Sequence, residues 1–220
     1  MKIVINSHIN GNVALNHLLE SMKIYKEYQD YEIIIIIGGY YDNPDYEIVK
    51  NENITYIKCN HNSIDFTGLI TLNELYRDNI NDYYLYLHDT CKVGENFFKI
   101  IQSIDLTNVS SIRIIRSHSM NIGIYSQKLI NTFTEFLSNQ KNTNINECAT
   151  FKKRGVYNED YIFINDNNNI VLNNYNGGNY TGPLDYYNTG TMRIIEYYPN
   201  LDIYKMKANW RESATYTLTV

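Results

Sequence analysis

The apolar residues of this chain fall into short β-branched runs separated by longer stretches with helical spacing. The first run, Lys2 to Asn6, gives way to the polar turn Ser7-His8-Ile9-Asn10-Gly11-Asn12. From Val13 the apolar positions Leu15, Leu18, Leu19, Met22 and Tyr25 recur on one side of a helix, while Glu20, Lys23, Lys26 and Glu27 take the other. A second strand is predicted over Glu32 to Ile37. Its unbroken β-branched character marks a strand covered on both faces, and Gly38-Gly39 ends it. A third strand spans Asn53 to Cys59, and Asn60-His61-Asn62-Ser63 leads into a helix carrying Phe66, Leu69, Ile70, Asn73 and Leu75. The strand Tyr83 to His88 follows. Strands alternating with helices in this way predict a parallel, Rossmann-like sheet.

Beyond this point the pattern is less regular. Strands are predicted at Ser111 to Arg116 and Met120 to Tyr125, and a helix at Gln127 to Leu137. Tyr157 to Ile164 fits either a helix or a strand. The Asn-rich stretches Asp166 to Asn169 and Asn173 to Gly182 read as loops, because asparagine competes with the backbone for hydrogen bonds. Tyr187 to Tyr198 reads as partly extended. With 220 residues, no internal repeat and no dividing linker, one domain is expected over 1–220. Its 1–95 half would bind a nucleotide, and its 96–220 half would be more irregular.

A net charge of −5 and a pI near 5.5 provide no general basic field, so nucleic acid and anionic membranes are not expected partners. Lys152-Lys153-Arg154, Lys205 and Lys207 remain as local spots able to meet a single phosphate. Cys59, Cys91 and Cys148 are odd in number and form no CxxC pair, which suggests a reducing compartment without a disulfide framework or zinc knuckle. The apolar start is too short for a signal peptide, and Ile33 to Ile37 is too short to cross a bilayer. The expectation is a cytoplasmic protein without a transmembrane segment, in the host cytoplasm if the gene is viral. No GxGxxG or P-loop pattern follows the first strand, which argues against a dinucleotide dehydrogenase or a P-loop ATPase.

The stretch Tyr83 to Gly94 places Asp89 at the carboxyl end of a central strand, where open α/β sheets keep their ligands. Asp89 there either binds a metal or ligand or starts a turn. Taken with Asn6-Ser7-His8, Asp65-Phe66-Thr67-Gly68 and Asn158-Glu159-Asp160, the segment His88-Asp89-Thr90 resembles the GT-A class of nucleotide-sugar glycosyltransferases, especially small viral and bacterial members. The resemblance spans most of residues 1–165. It implies an α/β fold with one GT-A domain, a Rossmann-like mixed sheet flanked by helices, and an irregular C-terminal part.

In that class an Asp-x-Asp motif holds Mn2+ or Mg2+ against the donor diphosphate, because a hard cation suits oxygen ligands and growing negative charge. Only Asp89 is acidic here. The resemblance therefore leaves His88, or a residue from elsewhere in the chain, as its companion metal ligand, or a weakly metal-dependent site that uses lysine or arginine instead. It further implies that Asn6, Ser7, His8, Asp65, Gly68, His88, Asp89 and Thr90 contact the donor, although Asp65 also suits an N-cap. Asp160, with Glu159 second, is the implied general base toward the acceptor hydroxyl; capping of the next element is the alternative. Asn121, Gly123 and Tyr125 fall on the implied acceptor side, where Gly123 also suits a bulge. Arg193 and Lys205 are candidate phosphate contacts. The implied activity is transfer of a hexose or deoxyhexose from a nucleotide diphosphate sugar, a UDP-sugar by preference, to a glycan hydroxyl, with inversion. Alternatives are a non-catalytic sugar or nucleotide-binding module and, ranked last, a nucleotidyltransferase, since Ser7 to Asn12 has one glycine and no cation.

Overall fold

In a computed structural model, residues 1–116, 118–155, 158–172, 177–182 and 192–208 are described. They run β1 (Lys2–His8), α1 (Asn12–Lys23), β2 (Ile33–Gly38), β3 (Glu47–Asn51), β4 (Ile54–Lys58), α2 (Thr67–Leu75), β5 (Tyr83–His88), β6 (Cys91–Val93), α3 (Phe97–Gln102), β7 (Ser111–Arg113) and β8 (Gly123–Ser126). These are followed by α4 (Gln127–Thr132), α5 (Thr134–Lys141), α6 (Ile145–Lys153), α7 (Tyr161–Ile164), β9 (Asn169–Val171), β10 (Gly178–Asn179), β11 (Met192–Tyr198) and β12 (Ile203–Ala208). Eight strands form one mixed sheet in the order β3-β4-β2-β1-β5-β8-β7-β9. The central strands β4, β2, β1 and β5 are parallel, whereas β3 and β8 pair antiparallel to this group.

Side-chain alternation builds a core on each face of this sheet. Ile3, Ile5, Ile33, Ile35, Leu85 and Leu87 pack with Leu15 and Leu18 of α1 and Phe97 of α3. Val4, Ile34, Ile36, Tyr84 and Tyr86 pack with Leu69 and Leu72 of α2, Ile130 of α4 and Phe163 of α7. Burial on both faces explains the continuous isoleucine run of β2, each side chain of which contributes about 1.5–3 kcal/mol. The fold is therefore a mixed α/β sheet flanked by helices. Among the described residues, no helix is long and apolar enough to cross a membrane.

Several boundaries differ from the sequence expectation. The strand expected to reach Arg116 stops at Arg113, and the one expected from Met120 begins at Gly123, because Met120 and Asn121 take left-handed turn conformations (φ 56° and 61°). Gly123 has φ 154°, and a Cβ there would lie 2.3 Å from the Ile112 carbonyl oxygen, so close strand packing requires glycine. The helix expected over Gln127 to Leu137 is broken at Phe133. Thr132 and Thr134 each donate a side-chain hydrogen bond back to a carbonyl of the preceding turn, which loosens the helix there. The ambiguous Tyr157 to Ile164 stretch resolves into α7, with Val156 and Tyr157 outside the described residues. Much of Asn173 to Gly182 and the start of Tyr187 to Tyr198 also lie outside them. Strands β3, β6, β9, β10 and β12 and helices α3 and α6 were not foreseen; β10 falls inside the stretch expected to be a loop, where Gly178 and Asn179 pair with Tyr197 and Glu196 of β11.

A second, antiparallel sheet has the order β10-β11-β12-β6. Its β6 follows directly on the end of β5, and its β12 pairs Lys205 with Cys91. The last described strand is thereby returned to the carboxyl end of the central sheet.

Candidate active site at the strand ends

Strands β1 and β5 are parallel neighbours in a register that sets Asn6 opposite His88, so β5 ends beside Asn6 and β1 runs on through Ser7 and His8. Alternation then divides their last residues. Ser7 and Asp89 continue the face that packs on α1, while Asn6 and His88 continue the face that packs on α2.

On the α1 face, Ser7 Oγ donates to Asp89 Oδ2 at 2.8 Å, and the Asp89 amide donates to the Asn6 carbonyl at 3.1 Å. A Cβ on Gly11 would lie 2.4 Å from Asp89 Oδ2 and 2.7 Å from Ser7 Oγ, so glycine lets the start of α1 close over this pair. Burial raises the Asp89 carboxyl above its usual range, against the opposing pull of His8, the Ser7 hydrogen bond and Lys205. Lys205 is itself buried, and its ammonium donates to Thr90 Oγ1.

On the α2 face, the Asn6 side chain donates to the Ile64 carbonyl at 3.0 Å and accepts from the Gly68 amide at 2.9 Å, fixing the turn that carries Asp65. Gly68 lies so close to Tyr86 that a Cβ would meet the ring at 2.6 Å. Asp65 does not cap α2: the helix has no side-chain cap hydrogen bond. Instead its Oδ1 lies 3.7 Å from His88 Nδ1 and its Oδ2 2.5 Å from Lys152 Nζ. Burial would raise the Asp65 carboxyl, but Lys152, His88 and Lys205 together hold it below the usual range. Burial also pushes His88 down to about 3, so its ring is neutral, and its buried Nε2 has no hydrogen-bond partner among the described residues. Lys152 continues to Glu159 Oε1 at 2.8 Å, and Glu159 Oε2 lies 2.7 Å from His118 Nε2. A chain of polar contacts, His88 to Asp65 to Lys152 to Glu159 to His118, thus runs from the end of β5 toward the surface.

Asp160 is fully buried, and its two oxygens accept from the amides of Ser119 and Asn121 at 2.6 and 2.9 Å. It occupies the N-cap position of α7 without a side-chain cap bond. Its carboxylate instead holds the left-handed turn at Met120 and Asn121. Burial raises the Asp160 carboxyl, with the two amides opposing. Asn121, Gly123 and Tyr125 are all interior; Tyr125 stacks on Phe163 with ring centroids 4.3 Å apart, and its hydroxyl bonds Asn121. They shape the wall behind the site. Arg193 lies in β11, and its side chain is outside the described residues.

His88 and Asp89 do not converge, because consecutive strand residues face opposite sides, and their partners lie on those opposite sides. Among the described residues, no three His, Cys, Asp or Glu side chains form a group that holds a metal. The pair as placed does not fit a shared Mn2+ or Mg2+, which requires several converging oxygen ligands. Lys152 and Lys205 supply the cations beside these acids. An open depression of about 770 Å³ lies at the opposite end of β5, around Tyr83, Ser110 and Asp166, away from this cluster.

Sequence reasoning singled out Asp65, His88, Asp89, Glu159 and Lys205 but missed His118 and the bridging role of Lys152. The alternation Ile203-Tyr204-Lys205-Met206 is a strand signal that would have located β12. No local signal marks His118.

No family model matches the sequence, and no curated protein matches it. Several solved structures are similar in shape, among them three of glycosyltransferases. The galactosyltransferase LgtC, in complex with donor and acceptor sugar analogues, is 12% identical, with 78% of this chain matched to 73% of that one and a TM-score of 0.49. An active-site mutant of LgtC is 13% identical, at 78% and 72% coverage and a TM-score of 0.46. The apo glycosyltransferase GlyE of Streptococcus pneumoniae TIGR4 is 10% identical, at 77% and 44% coverage and a TM-score of 0.44. Likeness at this level leaves the activity to be read from the site itself.

Proposed function

We propose that the protein is a GT-A glycosyltransferase that takes a sugar from a nucleotide diphosphate sugar, a UDP-sugar by preference, and moves it to a glycan hydroxyl with inversion. The observation that supports this best is the placing of Asp89 with Lys205 on one face, and of Asp65, His88 and Lys152 on the other, at the carboxyl ends of two adjacent parallel strands, the ligand-bearing edge of such sheets. Carboxylates accept hydrogen bonds from ribose and sugar hydroxyls, and ammonium groups meet phosphate oxygens. Negative charge grows on the nucleotide as the glycosidic bond breaks, and cations fixed in a buried, water-poor edge stabilise it.

The test is titration calorimetry with UDP, GDP and TDP, together with slow hydrolysis of the corresponding sugars, in Mn2+ and in EDTA. At least one nucleotide is expected to bind and its sugar to be hydrolysed. Asp89→Asn is expected to weaken binding by about tenfold, the scale of one lost charge-assisted hydrogen bond. The same variant unfolds at an equal or higher temperature at pH 7, because a buried carboxyl with a raised pKa opposes folding once ionised. Neither binding nor hydrolysis with any donor would sink the proposal. Equal affinity in EDTA assigns the phosphates to Lys152 and Lys205, and loss in EDTA restores the expected metal. The fixed carboxylate of Asp160 favours a second reading, a non-catalytic binding module, whose signature is binding without turnover.

A further inference from the structure

The depression at the amino end of β5 lies outside the strand-end cluster, and four separate segments of the chain wall it. Tyr83 opens β5, Ser110 precedes β7, Phe133 follows α4, and residues 165–168 form the turn between α7 and β9. One carboxylate ties two of these together. Asp166 accepts from the Ser110 hydroxyl at 2.6 and 2.7 Å, from the Ser111 hydroxyl at 2.6 Å and from the Asn168 backbone amide at 2.9 Å. Across from it, the Tyr83 hydroxyl donates to the Val109 carbonyl at 2.8 Å. The walls are thus fixed by the protein's own bonds, which lowers the ordering cost of binding there.

The chemistry of the opening is neutral and polar. Asn81, Asn108, Asn167 and Asn168 line it with exposed side chains. An amide both donates and accepts, and so matches the vicinal hydroxyls of a sugar, which do the same. Tyr83 and Phe133 add half-buried rings that can pack on the C–H face of a pyranose. The charged lining residues are Asp166, already engaged by two serines, and Lys128, so no net charge selects an ionic ligand. A volume of about 770 Å³ falls within the range of small-ligand sites, about 300–1,000 Å³.

We infer that this depression is a carbohydrate site that holds a neutral oligosaccharide, separate from the strand-end acids. Tyr83 and His88 stand at opposite ends of β5, about 17 Å apart at about 3.3 Å per residue, so an occupant of the depression leaves the strand ends open. The site goes beyond the glycosyltransferase reading and does not depend on it.

The test is titration calorimetry of the full chain with maltotriose, cellotriose and chitotriose, and with trigalacturonate as a charged comparator, in the presence and absence of UDP, GDP or TDP. The variants are Asn81→Ala, Asn108→Gly, Asn167→Ala and the three combined. Asn108 has φ 59°, so glycine removes the amide and keeps the backbone. The other two positions are exposed, where truncation leaves the fold intact. At least one neutral trisaccharide is expected to bind the parent, with each single substitution weakening it about 2- to 10-fold, the scale of one neutral hydrogen bond. Nucleotide is expected to leave that affinity unchanged. The inference is overturned if no neutral probe binds, if the triple variant binds as tightly as the parent, if nucleotide displaces the sugar, or if trigalacturonate binds more tightly than every neutral probe. Trisaccharide binding without nucleotide binding sinks the glycosyltransferase reading alone, and nucleotide binding without trisaccharide binding sinks this site alone.

Discussion

The two sides of the strand ends solve one problem in different ways. On the α1 side, Asp89 is packed against a hydroxyl and a glycine, and its nearest strong cation, Lys205, is turned to Thr90. On the α2 side, Asp65 and Glu159 share one lysine, and each acid also faces a histidine. The outcome is visible in the carboxyl groups: burial prevails at Asp89, which is raised, whereas cations prevail at Asp65, which is lowered. An acid kept short of charge compensation is poised to take up a new partner. One already compensated holds its neighbours in place.

The largest expected effect comes from breaking the compensated side. Lys152→Met leaves Asp65 and Glu159 buried without their shared cation and should destabilise the fold by about 3–5 kcal/mol in denaturant unfolding. Adding Asp65→Asn and Glu159→Gln should recover most of that loss. An unchanged midpoint for the single variant would mean that solvent, not Lys152, compensates the acids.

Acid titration should sharpen the contrast by a similar or slightly smaller amount. The folded pKa of His88 is lowered to about 3, so the unfolded chain takes up a proton below about 6.5 that the folded ring refuses. Its contribution is complete above about 6.5 and is lost as the pH falls toward 3, a span of about 5 kcal/mol. His88→Gln should therefore unfold with a flatter acid limb than the parent, as followed by circular dichroism at fixed denaturant. Superimposable limbs would show that His88 takes up its proton in the fold at the same pH as in the unfolded chain.

The smallest effect belongs to the uncompensated side. Gly11→Ala pushes a methyl group toward Asp89 and Ser7 and should cost about 1–3 kcal/mol of stability. Nucleotide affinity should fall with it, while the melting of a Lys152→Met variant is shifted additively, because Gly11 packs on Asp89 and Ser7 whereas Lys152 pairs with Asp65 and Glu159. Coupling between Gly11→Ala and Lys152→Met would merge the two sides into one network.

The central strands were legible because β2 and β5 are buried on both faces, and the β-branched and aromatic composition this demands is written in consecutive residues. The strand-end acids were legible for a related reason: Asp65 and Asp89 each stand at a place where an apolar pattern stops. The partners of those acids were not. Lys152 reaches Asp65 from a helix whose own pattern says nothing about its target, and His118 meets Glu159 across a turn set by backbone amides. The role of Asp160 was hidden for the same reason, since a carboxylate held by main-chain donors leaves no trace in residue types. Gly123 had been read as either a site glycine or a bulge, and its positive φ beside the Ile112 carbonyl gives it a packing role instead.

The contact between Thr90 and Lys205 joins positions 115 apart, across two sheets. Loops of that span close late, after the neighbouring parallel strands have had the chance to pair. During synthesis the acids of the central sheet would accordingly be in place before β12 emerges, and the site would gain its second cation only as one of the last events of folding. Assembly of the edge is thereby coupled to completion of the second sheet, and a chain stalled before residue 203 would hold the strand-end acids with Lys152 but without Lys205.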